Sequence, residues 1–561
     1  MNHPFLLRAS VFAVAASLLL SPVARGAGAQ DTGGAPTAQT EAERQVAAGG
    51  NSPGYDMAPE TTLKVVEAAV AAIPNRLPAG PFEPTWASLR QNYTVPAWFG
   101  DAKFGIFLHW GLYSVPAHGN EWYETHLYGN AGYLQWHTEH FGPLDTFGYK
   151  DFIPLFTAAK WNPDAWAKLF RESGAKYVIP TAEHHENFAL WDSAVTPYNA
   201  KKMGPHRDLI GDLAIAVRKE GLKFGVSNHG IENFQFIHTD SGAARALLAG
   251  LKAKKADLYD PQWLDFYNVA DRSDAACERF LVNWAQRNAE LIDKYRPDML
   301  WFDNGVDQRY LDPLKLWVAA YYYNRAHTWG KAVSISTKKA AYAPGGSNMQ
   351  TIGSIIDFEK IGGRSPAGIR GGAWQVDQPI GSTWGYTTEM TVSPPDRIVA
   401  ALADTVSKNG NLLLNISPRA DGTIPDAQQD TLRGIGEWLR VNGEAIYASH
   451  AWTTFGETVP RGQPGSNVRF TVRGGSLYAI LLGAKPGANV LIRSLASASA
   501  PTGKITAVSL LGSPATLPFT RDAEGMKLTH PGVLPAQYAA TLKIEGLRMN
   551  ASPATGDGNP R

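Results

Sequence analysis

NPDAWAKLFRESGAKYVIPTAEHH, residues 162–185, reads as a helix feeding a buried strand. Asn162 suits a helix N-cap, Pro163 fits the first turn, where no amide hydrogen is needed, and Gly174 stops the run. Between them Trp166, Leu169 and Phe170 fall on one face at helical spacing. The continuous apolar run from Tyr177 is what a strand covered on both faces requires. The pattern then repeats, with a helix predicted over DLIGDLAIAVRKEG (208–221) and a strand over KFGVSNH (223–229).

Working outward, strands are predicted at FGIFLHWG (104–111), DMLWFD (298–303), AVSIST (332–337), SIIDF (354–358) and NLLLNIS (411–417). A helix around Phe280, Leu281, Trp284, Leu291 and Tyr295 precedes DMLWFD, and another from about 426 to 441 closes the region. Repeated strand–helix units imply parallel strands. The fold class expected is therefore α/β, with a (β/α)8-like barrel over 80–445; such barrels span ~250 residues before insertions. Past residue 446 the helical period vanishes. VRFTVRG (468–474), SLYAILLG (476–483), ANVLIRS (488–494) and ITAVSLLG (505–512) are separated by Gly, Pro and Asn, which predicts a β-sandwich over 446–550. Residues 551–561, ASPATGDGNPR, read as a frayed tail.

At the other end, Arg8 precedes the apolar run SVFAVAASLLL (10–20), too short to span a bilayer, and Ala27-Gly28-Ala29 offers a small-residue cleavage site. Residues 1–29 are expected to be a signal peptide and 30–79 a linker or N-terminal extension. The mature chain would be exported, periplasmic or secreted, with no membrane contact after cleavage. With 52 basic and 51 acidic residues, net +1, and only 18% charged residues, the chain has no footprint for nucleic acid or an anionic membrane as partner. Cys277 is the only cysteine, so no intrachain disulfide forms. The 17 Trp, 21 Tyr and 22 Phe fit a large core and also a cleft that stacks on sugar rings. Oligomeric state is not legible.

In a parallel barrel, working side chains gather where strands end. Strand ends here carry His109 and Trp110; Glu183, His184, His185 and Glu186; Asn228 and His229; Trp301 and Asp303; Asp357 and Glu359. Such groups are costly in an apolar interior, so their recurrence points to an active site. Carboxylates on separate strands suit glycosidic cleavage, one acting at the anomeric carbon and one protonating the leaving oxygen. Metal hydrolysis is the competing chemistry, but His184 and His185 are adjacent rather than four apart and no HExxH occurs, so no metal and no cofactor are expected.

WFGDAKFGIFLHWGLYSVPAHGNEWYETHLY (98–128), FTAAKWNPDAWAKLFRESGAKYVIPTAEHHENFALWDS (156–193), YRPDMLWFDNG (295–305), STWGY (382–386) and SKNGNLLLNISPRADGTIP (407–425) closely resemble α-L-fucosidases, glycoside hydrolase family 29. The resemblance covers about 80–445 and extends weakly into the β-domain. It implies a retaining, exo-acting hydrolase that releases terminal α-L-fucosyl groups from oligosaccharides or glycoconjugates. It also implies that Asp303 is the nucleophile and that His109, Glu121, Trp122, His184, His185 and Trp301 bind the sugar. The third strand end, VSNHG, departs from members that carry a tyrosine there, and His229 is the candidate to replace that contact. Glu359 is the candidate general acid/base, with Asp357 and Glu232 as rivals. A barrel glycosidase for another sugar, such as a galactosyl unit, and a carbohydrate-binding protein without catalysis are the alternatives.

Overall fold

The computed structural model describes residues 62–237, 242–344, 351–359, 366–459, 466–498, 503–530, 532 and 534–549. The expected signal peptide, most of the expected linker and the expected tail lie outside these residues. Eight parallel strands close into a barrel in sequence order: β1 (Phe104–Leu108), β2 (Tyr177–Glu183), β3 (Lys223–Asn228), β4 (Met299–Phe302), β5 (Ser334–Lys338), β6 (Ile355–Glu359), β7 (Trp374–Pro379) and β8 (Asn411–Ile416). β8 pairs back onto β1 from Leu412–Phe104 to Ile416–Leu108. The deciding segment folds as its residues demand. Asn162 accepts from the Ala165 amide at 3.0 Å, a cap worth ~1 kcal/mol, and the helix runs Pro163–Glu172.

β7 has no counterpart among the predicted strands. Its sequence, WQVDQP, turns Gln375 and Asp377 into the barrel and Trp374 and Val376 outward, so it lacks the apolar run that marks its neighbours. The segment 30–79 also differs from a plain linker. Thr62 caps a helix, Leu63–Ala72, which buries Val65, Val66 and Ala69 against the helices Asp274–Tyr295 and Asp312–Trp329. Among the described residues no helix is long and apolar enough to cross a membrane.

Side chains alternate along each strand, and this places the site. Phe107, Tyr177, Ile179, Met299, Trp301, Ile355 and Leu413 fill the barrel, whereas Ile106, Leu108, Leu300, Phe302, Ile356 and Phe358 face the surrounding helices. Gly225 makes the filling possible: a Cβ there would sit 2.9 Å from the Met299 carbonyl and 3.0 Å from Ile179. Continuing the same alternation puts His109, Asp303, Lys338 and Glu359 inward at the C-terminal mouth.

The C-terminal region forms two antiparallel sheets sharing one core. The strands are β9 (His450–Glu457), β10 (Val468–Arg473), β11 (Ser476–Leu482), β12 (Asn489–Ile492), β13 (Gly503–Leu510), β14 (Thr520–Arg521), β15 (Met526–Thr529) and β16 (Ala539–Leu547). The larger sheet runs β13-β16-β11-β10-β9 and the smaller β12-β15-β14. Phe470 and Leu542 of one sheet meet Ile492 and Met526 of the other in a common cluster. The joint to the barrel is also bonded. Trp438, in the helix Asp426–Asn442 that closes the barrel, donates its indole N–H to the Ala539 carbonyl at 2.9 Å, and Arg469 pairs with Asp404 at 2.7 Å.

Candidate active site

The barrel mouth opens into a cavity of about 180 Å³ lined by His109, Glu121, Trp122, His184, Asp303, Lys338, Glu359 and Trp384, with Asn120, His126 and Asn304 at its edge. Asp303 is at its centre, one residue past β4. The Asn304 amide donates to Oδ1 at 2.9 Å and the Lys338 ammonium lies 3.1 Å from the same oxygen. On the other side His229 Nδ1 is 3.0 Å, and His185 Nε2 3.8 Å, from Oδ2. The His229 contact is close but not aligned as a hydrogen bond. Burial alone would raise the Asp303 pKa. Lys338, His229 and His185 outweigh it and hold the carboxyl well below the usual carboxylate range. Asp303 is thus ionised, fixed and largely dry, as a nucleophilic carboxylate must be.

Lys338 joins the carboxylates. Its ammonium lies 3.3 Å from Glu359 Oε2 and 3.4 Å from Asp377 Oδ2, with the rings of Trp301 and Trp384 within 5.4 and 5.3 Å. Burial would lower its pKa, but Asp303, Asp377, Glu359 and Asp357 together push it well up, so it keeps its charge. The nearest oxygens of Asp303 and Glu359 can be no farther apart than the sum of their contacts to that one nitrogen.

The three candidate proton donors separate by position. Glu359 lines the cavity. Asp357 shares its strand face but lies one step deeper, where it accepts from Trp301 Nε1 at 2.6 Å, Gln375 Nε2 at 2.7 Å and the Asp377 amide at 3.0 Å. Burial lifts its pKa to about 6, yet no oxygen is left to meet a ligand. Glu232 is buried behind His185, 3.4 Å from Nδ1, and burial with the nearby Asp303 charge pushes its pKa well up. It lies outside the cavity.

The expected sugar contacts divide likewise. His109, Glu121, Trp122 and His184 face the cavity. His185, His229 and Trp301 are 1%, 0% and 0% exposed and stand behind its wall, His185 and His229 against Asp303 and Trp301 beneath Lys338. Those three support the site from outside the cavity. Glu121 also holds a loop in place. Its Oε2 accepts from the amides of Trp384 and Gly385, each at 3.1 Å, and so latches the STWGY segment over the mouth. Other strand-end groups belong to the scaffold. Glu183 pairs with Arg287, and the Trp110 indole donates to the Arg419 carbonyl.

Lys338 is absent from the sequence-derived set. It is the residue after AVSIST, and extending that strand by one position and asking what ends it would have found it. Trp384 sits inside the STWGY motif but had no role assigned from sequence.

With this geometry in hand, comparison with known proteins is specific. A family model for α-L-fucosidases matches residues 69–444. Tissue α-L-fucosidase of Mus musculus is 33% identical over 501 residues, covering 85% of this chain and 96% of that protein. Plasma α-L-fucosidase of Homo sapiens is 33% identical over 390 residues, covering 67% and 74% respectively. The crystal structure of Thermotoga maritima α-fucosidase with a mechanism-based inhibitor superposes with a TM-score of 0.64 at 32% identity, covering 82% of this chain and 99% of that one.

Proposed function

The chain belongs to the α-L-fucosidase family of glycoside hydrolases, and from that premise we propose that it removes terminal α-L-fucosyl groups from fucosylated oligosaccharides or glycoconjugates with retention of configuration. The observation that carries this reading is the ionised Asp303 sharing the Lys338 ammonium with Glu359 at the mouth of a one-sugar cavity. A pocket of this size at the barrel mouth suits a chain end rather than a chain interior, hence exo action. Retaining enzymes hold their two carboxyl groups ~5–5.5 Å apart and inverting ones ~6.5–9.5 Å. The shared ammonium draws this pair of carboxyl groups together, which supports retention.

In the first step an Asp303 oxygen attacks the anomeric carbon while Glu359, protonated, gives its proton to the departing glycosidic oxygen. The aglycone leaves as an alcohol and Asp303 becomes a neutral ester. That change alters the field at Lys338, whose remaining close partner at the cavity is Glu359, now a carboxylate. The ammonium stabilises that charge, and Glu359 takes a proton from the water that attacks the anomeric carbon. Fucose departs, Asp303 recovers its charge, and Glu359 holds the proton for the next cycle.

A panel of nitrophenyl glycosides followed by ¹H NMR tests the reading. Hydrolysis of the α-L-fucoside with α-L-fucose as the first anomer supports it. Preference for a galactoside, or β-L-fucose appearing first, overturns the sugar or the stereochemistry.

Removing the ammonium should be visible in the pH profile. The depressed Asp303 pKa keeps the nucleophile ionised as pH falls through the ordinary carboxylate range, so activity is lost only below it. In Lys338→Met the acid limb of kcat/KM should move up by about 1–3 pH units. An unmoved limb would show that Lys338 does not set the charge of Asp303.

The cavity wall predicts a different signature. His109→Ala, Trp122→Ala and His184→Ala should each lower kcat/KM about 10- to 100-fold with little change in melting temperature, the cost of one contact to a reacting sugar. Variants that melt early but keep normal turnover per folded molecule would make these residues core.

Export is part of the same proposal, resting on Arg8, the apolar run 10–20 and the site at Ala29. N-terminal sequencing of the mature protein should begin near Gln30; a chain still starting at Met1 would reject it.

A further inference from the structure

Three imidazoles meet beneath the cavity, His109 and His184 facing it and His229 behind its wall. The rings of His109, His184 and His229 lie 5.0–5.5 Å apart pairwise, and each offers a nitrogen within 4.8 Å of the others. The Nδ1 atoms of His109 and His184 are already engaged. His109 Nδ1 donates to Asn415 Oδ1 at 2.8 Å, an oxygen whose orientation is fixed because Asn415 Nδ2 donates to the Trp384 carbonyl at 2.8 Å. His184 Nδ1 is 3.0 Å from Glu186 Oε2. His229 Nδ1 faces Asp303 Oδ2 at 3.0 Å, while its Nε2 is buried with no hydrogen-bond partner among the described residues.

Each ring thus turns Nδ1 toward an oxygen, and the three offer nitrogens within reach of a common ligand. Three ring nitrogens gathered within reach of one another suit a ligand that brings positive character: hydroxyl hydrogens of a sugar, or a cation that displaces any proton held there. Histidines that bind metal almost always give their other ring N–H to a carboxylate, carbonyl or water; His109 and His184 have an oxygen partner at Asn415 and Glu186, and His229 Nδ1 lies beside the Asp303 carboxylate. Three histidines with an open fourth position is a set that Zn²⁺ accepts. Zn–N bonds of ~2.0–2.1 Å bring ligand nitrogens about 3.3 Å apart, a closure that modest ring rotation supplies.

We propose that His109, His184 and His229 form a binding site for a divalent transition-metal ion, Zn²⁺ above all, whose occupancy blocks the sugar pocket. The ion is an inhibitor here and takes no part in the reaction. It sits where His109 and His184 face the cavity, so it and the fucosyl group exclude each other. Only this exclusion rests on the proposed function; the coordination set stands without it.

The test is calorimetric titration of Zn²⁺ into the full metal-free chain, with Co²⁺ absorption as a second reading. One ion per chain is expected, with the intense visible bands of four-coordinate Co²⁺. Saturating L-fucose should weaken the apparent affinity at least ten-fold. His109→Gln and His184→Gln should each weaken it at least 100-fold, and Glu186→Gln, which loosens the His184 ring, about 10- to 100-fold. The double variant His118→Ala/His140→Ala, in the aromatic stack around Trp136, should bind as the parent does. EDTA should leave full hydrolysis and relieve inhibition by added Zn²⁺.

No stoichiometric binding, binding that survives in folded His109→Gln and His184→Gln, or loss of binding in the His118/His140 variant would each overturn the site. Should the histidine variants fail to fold, a pale six-coordinate Co²⁺ spectrum on the parent chain rejects it. Loss of hydrolysis with EDTA, restored by Zn²⁺, would overturn the inhibitory role. Hydrolysis of fucosides without Zn²⁺ binding defeats this site alone, whereas Zn²⁺ binding without hydrolysis of any fucoside defeats the proposed reaction alone.

Discussion

Asp303→Gly is expected to lower turnover of every α-L-fucoside by on the order of 10⁴-fold or more, because no covalent intermediate can form without the attacking carboxylate. The loss should be chemical rather than structural. Asp303 lies at the mouth, past the end of β4, and the strand's packing residues Leu300, Trp301 and Phe302 are untouched. Removing the side chain opens space beside Lys338, and azide is small and anionic enough to occupy it. Azide should therefore restore part of the cleavage and give β-L-fucosyl azide, the product of one inversion. If Asp303→Gly keeps appreciable activity without azide, or if rescue yields only the α-azide, Asp303 is not the nucleophile.

Glu359→Ala should give the second-largest effect, and a selective one. Substrates with poor leaving groups need a proton on the departing oxygen, and their cleavage should slow by about 100- to 10,000-fold. Aryl fucosides with good leaving groups need little protonation and should suffer less in the first step. Asp303 still forms the ester here, so azide should trap it as the retained α-L-fucosyl azide. Near-normal hydrolysis of natural oligosaccharides would remove Glu359 from the role. Neither Asp357 nor Glu232 lines the cavity, so either could serve only after a rearrangement of the barrel mouth.

Much of this could be read in the chain because the barrel imposes simple rules. Strands covered on both faces are apolar runs, and seven of the eight were legible on that ground. β7 was not, because the residues it turns inward are Gln375 and Asp377, so the segment reads like a loop. The strand-end rule located the catalytic candidates, but alternation assigns a face and not a depth. Asp357 and Glu359 are equally inward by count, and only the three-dimensional structure shows that Trp301 and Gln375 already occupy one of them. His185, His229 and Trp301 illustrate the same limit: all three belong to the site, but a layer behind the cavity. Glu121 shows another. A residue expected to touch sugar also secures a distant loop through two backbone amides, a contact between parts of the chain more than 260 residues apart that no local pattern records.

The bond from the Trp438 indole to the Ala539 carbonyl couples the C-terminal sheets to the barrel. Trp438 is 0% exposed and lies on the helix that closes the barrel, so peeling away the C-terminal sheets would bare its ring and leave its N–H without that partner. The cost falls on the same helix that follows β8, whose pairing with β1 seals the barrel. The β-sheets, which contribute nothing to the cavity lining, thus act as a clamp on the ring of strands, and damage to them would reach the chemistry as a loss of cooperativity rather than of contact.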